Sequence, residues 1–288
     1  MRRVTSSHAL VERLMTSVVG RRREIDLVVA ALAADRHILL EGPPGTGKST
    51  LLREVAHELG VGFEFVEGNA ELTPARLIGH FDPARVLADG YDADVFVDGP
   101  LVRALRAGSL LYIEELNRVP EETLNVLVTV MSEHETTVPR LGRVEATDGF
   151  RLVAAMNPFD AVGTARISSA IYDRMCRLAV DYQSDRDEQV IVERRAGSSP
   201  ISARAVELVR RTRSHPDLRM GSSVRGAIDL VAMSATLAEV RDAAVDSAEV
   251  TLDASLVALT GRVRLREGSN RTAEDIITEL WSEVFQPV

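Results

Sequence analysis

Glu41-Gly42-Pro43-Pro44-Gly45-Thr46-Gly47-Lys48-Ser49-Thr50 is the stretch on which the reading of this chain turns. Gly42, four residues, then Gly47, Lys48 and Ser49 give the full spacing of a phosphate-binding loop. Its glycines let the backbone turn tightly and point successive N–H groups inward, into a nest the size of an anion. Lys48 can place a point charge on β- and γ-phosphates, and the Ser49 hydroxyl can ligate Mg²⁺. Both flanks agree. His37-Ile38-Leu39-Leu40 is a short apolar run suited to a buried parallel strand. Leu51–Leu59 has helical spacing, so the loop feeds a helix N-terminus, where the dipole favours phosphate. A plain Gly/Pro turn is the competing reading. The small, Pro and Lys residues of the loop, with both flanks correct, argue against it.

Leu110-Leu111-Tyr112-Ile113-Glu114-Glu115 is the second anchor. Four apolar residues and then two carboxylates describe a buried strand that delivers acid to its C-terminal end. In open α/β sheets that end is where ligands bind. One carboxylate, Glu114, can hold Mg²⁺ through water, and the next, Glu115, can polarise a water for attack on a γ-phosphate. Alone the pattern is weak, since strands often end in solvated charge. It gains its force as the partner of the loop upstream.

Composition bounds the alternatives. The chain has 288 residues, 45% of them hydrophobic, enough for a sizeable core in one large domain or two smaller ones. Aromatic residues are only 4%, which argues against a stacking platform for single-stranded nucleic acid. Lys plus Arg number 34 against 43 Asp plus Glu, a net charge of −9, so the chain is a poor default binder of polyanions. A single cysteine, Cys176, cannot close an internal disulfide and fits a reducing cytoplasm. The Met1-Arg2-Arg3 start leads into apolar residues broken by Glu12 and Arg13, without a signal-peptide pattern. No apolar run reaches the roughly 18–20 residues that span a bilayer.

In chain order, Ala9–Val19 and Glu24–Leu32 carry helical spacing. Val18-Val19-Gly20 can pad an adenine ring or serve as ordinary helix-end packing, and both readings stand. Gly62–Val66 is a second strand. Gly79–Gly99 reads as an inserted loop or hairpin, Leu101–Ala107 and Glu121–Ser132 as helices, and Thr136–Asp148 as a small hairpin. Phe150–Met156 is another buried strand, ending at Asn157-Pro158. Asn157 can hold an attacking water, or it is a turn residue before proline. Ile167–Met175 is a helix ending in Asp173-Arg174, ahead of a last strand at Arg177–Val180. Arg174 can stabilise charge on a transferring phosphoryl group as an arginine finger, or it complements a helix dipole. From about Ser184 only helical segments follow, with Arg225 opening one after Gly221-Ser222-Ser223. The expected organisation is α/β: a five-stranded parallel sheet sandwiched by helices over residues 1–185, then a small all-helical lid over 186–288. Histidines are scattered without metal-ligand spacing.

Taken in this order, the motifs resemble the AAA+ ATPases, and more closely the MoxR family. The likeness rests on Gly42–Ser49, Gly99-Pro100, Glu114-Glu115-Leu116-Asn117-Arg118, Ala155-Met156-Asn157-Pro158, Tyr172-Asp173-Arg174 and Gly221-Ser222-Ser223-Val224-Arg225. The resemblance implies ATP and Mg²⁺ as cofactors, with Gly42, Pro43, Pro44, Gly45, Thr46, Gly47, Lys48, Ser49 and Thr50 binding nucleotide. It implies Glu114 as the metal residue, with Ser49, and Glu115 as the base. It makes Asn157 sensor 1, Arg174 a finger given to a neighbouring subunit, and Arg225 sensor 2 in cis. It further implies a hexameric ring, chaperone-like remodelling of a protein client, and a partner with a von Willebrand factor A domain. The Gly79–Gly99 and Thr136–Asp148 stretches match inserts that face the ring pore or substrate in that family. Glu114 departs from the family Asp, which sets its carboxylate about 1.5 Å further out. Val224 replaces Pro, and Ser49 replaces Thr.

Three functions are therefore weighed: an ATP-hydrolysing remodeler, a nucleotide-gated switch with weak turnover, and a nucleic-acid motor. The motor reading draws only on the basic clusters Arg21–Arg23 and Arg210–Arg213.

Overall fold

The computed structural model describes residues 7–158 and 167–286; the Met1-Arg2-Arg3 start lies outside them. The chain divides into two units, Met1–Pro43 with Gly47–Asp181, and Pro44–Thr46 with Tyr182–Val288.

The first unit is built on strands β1 (His37–Glu41), β2 (Phe63–Glu67), β3 (Leu110–Glu114), β4 (Arg151–Met156) and β5 (Met175–Ala179). They form one parallel sheet in the order β2-β3-β4-β1-β5. β1 is buried along its whole length and β3 along its first four residues. That explains why both read as continuous apolar runs: a central parallel strand is covered on two faces. The helices of this unit include α1 (Ser7–Ser17), α2 (Arg22–Ala33), α3 (Lys48–Leu59), α4 (Pro100–Ala107), α5 (Glu121–Glu133) and α6 (Ser169–Arg174).

Strand alternation sorts the core into two layers. Leu39, Leu111, Ile113, Leu152 and Ala154 pack with α4, α5 and α6 through Leu101, Leu105, Leu127 and Ile171. Ile38, Leu40, Tyr112, Val153 and Ala155 pack on the other face with α1, α2 and α3 through Leu14, Ile25, Leu52 and Val55. Val18 belongs to this second layer and is buried, while Val19 is half-buried and Gly20 exposed. Two antiparallel ribbons are added: Gly79–Phe81 with Phe96–Asp98, enclosing a helix at Pro83–Asp89, and Glu135–Val138 with Gly142–Glu145.

The second unit holds helices α7 (Asp185–Ala196), α8 (Ser202–Ser214), α9 (Val224–Arg241), α10 (Ala248–Leu259) and α11 (Ala273–Phe285). Its core gathers Val206, Leu230, Leu259, Ile276 and Trp281, and the Trp281 indole donates to Thr251 Oγ1 at 3.2 Å. The expectation of a purely helical unit needs one correction. Leu218–Met220 pairs antiparallel with Arg264–Leu265. Segments of three and two residues, bearing Arg219 and Arg264, are too short to show a strand period. Buried Glu188 accepts from Arg210 at 3.1 Å and from Arg213 at 2.8 Å.

Candidate active site at the carboxyl end of the sheet

The site begins where β1 ends. Gly42 N–H donates to Met156 O of β4 at 3.1 Å, so the loop leaves the sheet edge at a fixed point. A Cβ at Gly42 would stand 1.8 Å from Val180 O, which leaves no room for a larger residue there. At the far end of the loop Gly47 has φ +82 and caps α3, a left-handed turn that glycine adopts without steric cost. α3 thus starts at Lys48 with its N-terminal N–H groups facing the loop, an arrangement suited to anions.

Lys48 is 7% exposed, and its ammonium donates to Gly42 O at 2.9 Å and Pro43 O at 2.8 Å. The loop carbonyls hold the cation inside the nest.

Ser49, the next residue, meets β3. Its Oγ donates to Glu114 with both carboxylate oxygens at 3.1 Å. The longer side chain of Glu114 therefore presents its carboxylate face-on to the hydroxyl, instead of overshooting it. The Tyr112 hydroxyl lies 3.3 Å from Ser49 Oγ, beside the Ser49–Glu114 contact. Burial pushes the Tyr112 phenol well above its ordinary range, so it keeps its proton. Sequence reading counted Tyr112 as one more apolar residue. The available signal was its hydroxyl, two positions before Glu114 and so on the same strand face.

Glu115 turns away from the strand with φ +54, a strained left-handed conformation for a non-glycine residue, of the kind concentrated at functional sites. Its carboxylate pairs with Arg118 Nε at 2.9 Å and is part exposed. The adjoining peptide is pinned, because Gly68 N–H donates to Glu114 O at 2.7 Å. Asn157 follows β4 directly, between the ends of β1 and β3, and its carbonyl accepts from Asn117 Nδ2 at 3.4 Å. Lys48, Ser49, Glu114, Glu115 and Asn157 thus gather at one end of three adjacent strands.

The remaining candidates are placed elsewhere. Arg174 ends α6, is exposed, and donates through Nε to Ser132 Oγ of α5 at 2.6 Å. Arg225 is the second residue of α9, in the second unit, as are Pro44, Gly45 and Thr46. Thr50 follows Ser49 in the first turn of α3.

The donors fit the metal and cofactor expected of them. A hydroxyl and a carboxylate are hard oxygen ligands of the kind Mg²⁺ takes alongside phosphate oxygens and water. Among the described residues there is no cluster of three or more His, Cys, Asp or Glu that would make an all-protein metal cage. The loop amides and Lys48 supply the complementary positive lining for phosphate.

Among the described residues, most arginines of the basic clusters that favoured a nucleic-acid motor are engaged in ion pairs; exposed Arg23 is not. Arg21 is buried, bonded to Glu24 at 2.9 Å and to Asp181 O at 2.6 Å. Arg22 pairs with Glu12 and Asp26. In the second unit Arg211 pairs with Glu207 and Glu283, while Arg210 and Arg213 share Glu188.

A parallel sheet in this order, with a phosphate loop after β1 and acid at the end of β3, is the AAA+ fold. Residues 37–175 match the AAA domain of the dynein-related subfamily. A Staphylococcus epidermidis protein is 34% identical over 155 residues, 53% of this chain and 58% of that protein, so the match spans little more than half the relative's length. The YeaC protein of Bacillus subtilis is 28% identical over 251 residues, covering 77% of this chain and 75% of the relative. Among solved structures, a Cytophaga hutchinsonii protein assigned as an ATPase shares the fold at a TM-score of 0.55 and 20% identity, over 96% of this chain and 93% of its own. RuvB of Thermotoga maritima shares it at 0.58 and 19%, over 84% and 72%.

No helix among the described residues is long and apolar enough to cross a membrane.

Proposed function

We propose that the chain is an Mg²⁺-dependent ATP hydrolase of the MoxR type, which uses turnover to remodel or assemble a partner protein. The observation that carries the reading is the contact of Ser49 Oγ with both oxygens of Glu114 at 3.1 Å, one residue after a lysine seated in the phosphate loop. In the proposed cycle the loop amides and Lys48 grip the phosphates, and Lys48 exchanges its bonds to Gly42 O and Pro43 O for phosphate oxygens. Ser49 and Glu114 hold the metal, which when bound neutralises developing phosphate charge. Glu115, released from Arg118, takes a proton from the attacking water, and Asn157 orients that water by hydrogen bonding. Arg174 is exposed at the end of α6, where it can reach a neighbouring subunit of a ring. Arg225 serves as the sensor of the second unit. A hexameric ring, a von Willebrand factor A partner and a cytoplasmic setting belong to the same reading.

The nucleic-acid motor finds less support, because most arginines of its basic clusters are occupied by carboxylates of this chain. The remodeler reading is tested with Glu115→Gln. ATP binding should persist while turnover falls by about 10²–10⁴-fold, the range for loss of a general base. Turnover at the wild-type rate would remove Glu115 as the base and the reading with it.

A further inference from the structure

We infer that Tyr112 is a positioning residue for the metal pair: its hydroxyl fixes Ser49 Oγ, which in turn holds the Glu114 carboxylate. The assignment rests on the metal–nucleotide reading of the loop and extends it to a residue outside the phosphate loop and the carboxylate pair.

Tyr112 and Glu114 lie two apart on β3, so both project to the face covered by α3. Ser49 sits in the first turn of α3, and its hydroxyl meets both of them. The Tyr112 ring is fully buried and packs beside Phe63 and Phe65 at 5.8 Å, which fixes the direction of its hydroxyl. Hydrogen-bond valence then orders the cluster. Ser49 has one proton, and that proton is aimed at Glu114. The Tyr112 O–H therefore donates to Ser49 Oγ at 3.3 Å. A serine oxygen has two lone pairs. With its proton committed to Glu114 and one lone pair facing Tyr112, the other is left for a cation.

A glutamate has one more rotatable bond than an aspartate, so an unheld Glu114 carboxylate would sample several positions. Ser49, itself held by Tyr112, limits that sampling. The longer acid at this position and the phenol beneath it form one device.

The test is a Mg²⁺ titration of a fluorescent ATP analogue bound to the wild type and to Tyr112→Phe, with binding in EDTA as control. Phe keeps the ring and its packing. Tyr112→Phe should need about five- to tenfold more Mg²⁺ for half-maximal effect, the equivalent of one lost hydrogen bond to the cluster. Metal-free nucleotide affinity and the thermal melt should match the wild type. An unchanged Mg²⁺ midpoint overturns the assignment. So does a variant that loses metal-free binding or its melting transition along with metal affinity, because the hydroxyl would then serve the fold alone. A wild type whose nucleotide binding ignores Mg²⁺ sinks the metal reading itself, and the assignment falls with it.

Discussion

Glu114→Asp keeps the charge at the end of β3 and shortens the side chain by one methylene, yet in this backbone it should impair the metal site. Both oxygens of Glu114 stand 3.1 Å from Ser49 Oγ. Removing one methylene draws the carboxylate back by about 1.5 Å, one C–C bond. The separation then reaches about 4 Å or more, beyond the roughly 3.2 Å limit of a useful hydrogen bond. A hydrogen bond to a charged group contributes about 1.5–3 kcal/mol. Glu114 is only partly buried, so the lower end applies, and about 1.5 kcal/mol corresponds to about a tenfold loss. The assay is the Mg²⁺ concentration giving half-maximal ATP turnover at saturating nucleotide. It should rise about tenfold, while nucleotide affinity in EDTA stays at the wild-type level. A midpoint that is unchanged or lower would refute the view that this strand is built around the longer acid.

Lys48→Ala removes the buried ammonium that bonds Gly42 O and Pro43 O; ATP affinity should fall by about 100-fold, read by equilibrium titration, with no loss comparable to that for adenosine. Burial, with His134 beside it, lowers His37 from 6.5 to about 4, so the folded state holds it neutral. Its contribution is full above pH 6.5 and is lost as pH falls toward 4, because the unfolded chain takes up the proton first; at pH 5 the loss is about 2 kcal/mol. Urea denaturation at pH 7.5 and pH 5 should show this difference, and His37→Asn, which keeps an acceptor toward Leu152 N–H, should flatten it. Glu188→Ala strands Arg210 and Arg213 and should cost the helical unit about 3 kcal/mol or more. Hydrogen exchange in α7 and α8 reports the effect, and unchanged protection there would contradict it.

The sheet was legible because its strands carry period and position together. Ile38–Leu40, Leu110–Ile113 and Leu152–Met156 are buried on both faces, so each announces itself as an unbroken apolar run. The phosphate loop was legible because its glycines and lysine answer to one geometry. What stayed hidden depends on distance in sequence. Glu41 accepts from Tyr172 at 3.0 Å and from Arg177, and no local pattern links those positions. Tyr112 looked apolar because a strand run shows which residues are buried but not which atoms they meet. The ribbon of Leu218–Met220 with Arg264–Leu265 escaped for want of length. Arg21 and Arg210–Arg213 looked like a polyanion surface because partners such as the Asp181 carbonyl and the Glu188 carboxylate lie on other elements.

The pairing of β1 has a consequence for synthesis. Its neighbours on either side are β4 and β5, which enter the chain only after residue 150. A nascent chain that has already made the phosphate loop therefore carries a strand with an apolar centre, Ile38–Leu40, and both edges open. Local contacts can form α1 to α3 early, but the long-range pairing that closes the sheet must wait for Ala179. Until then His37–Glu41 is a template for intermolecular pairing, and ribosome pausing or truncation ahead of β4 should send this protein to aggregates or chaperones instead of to nucleotide.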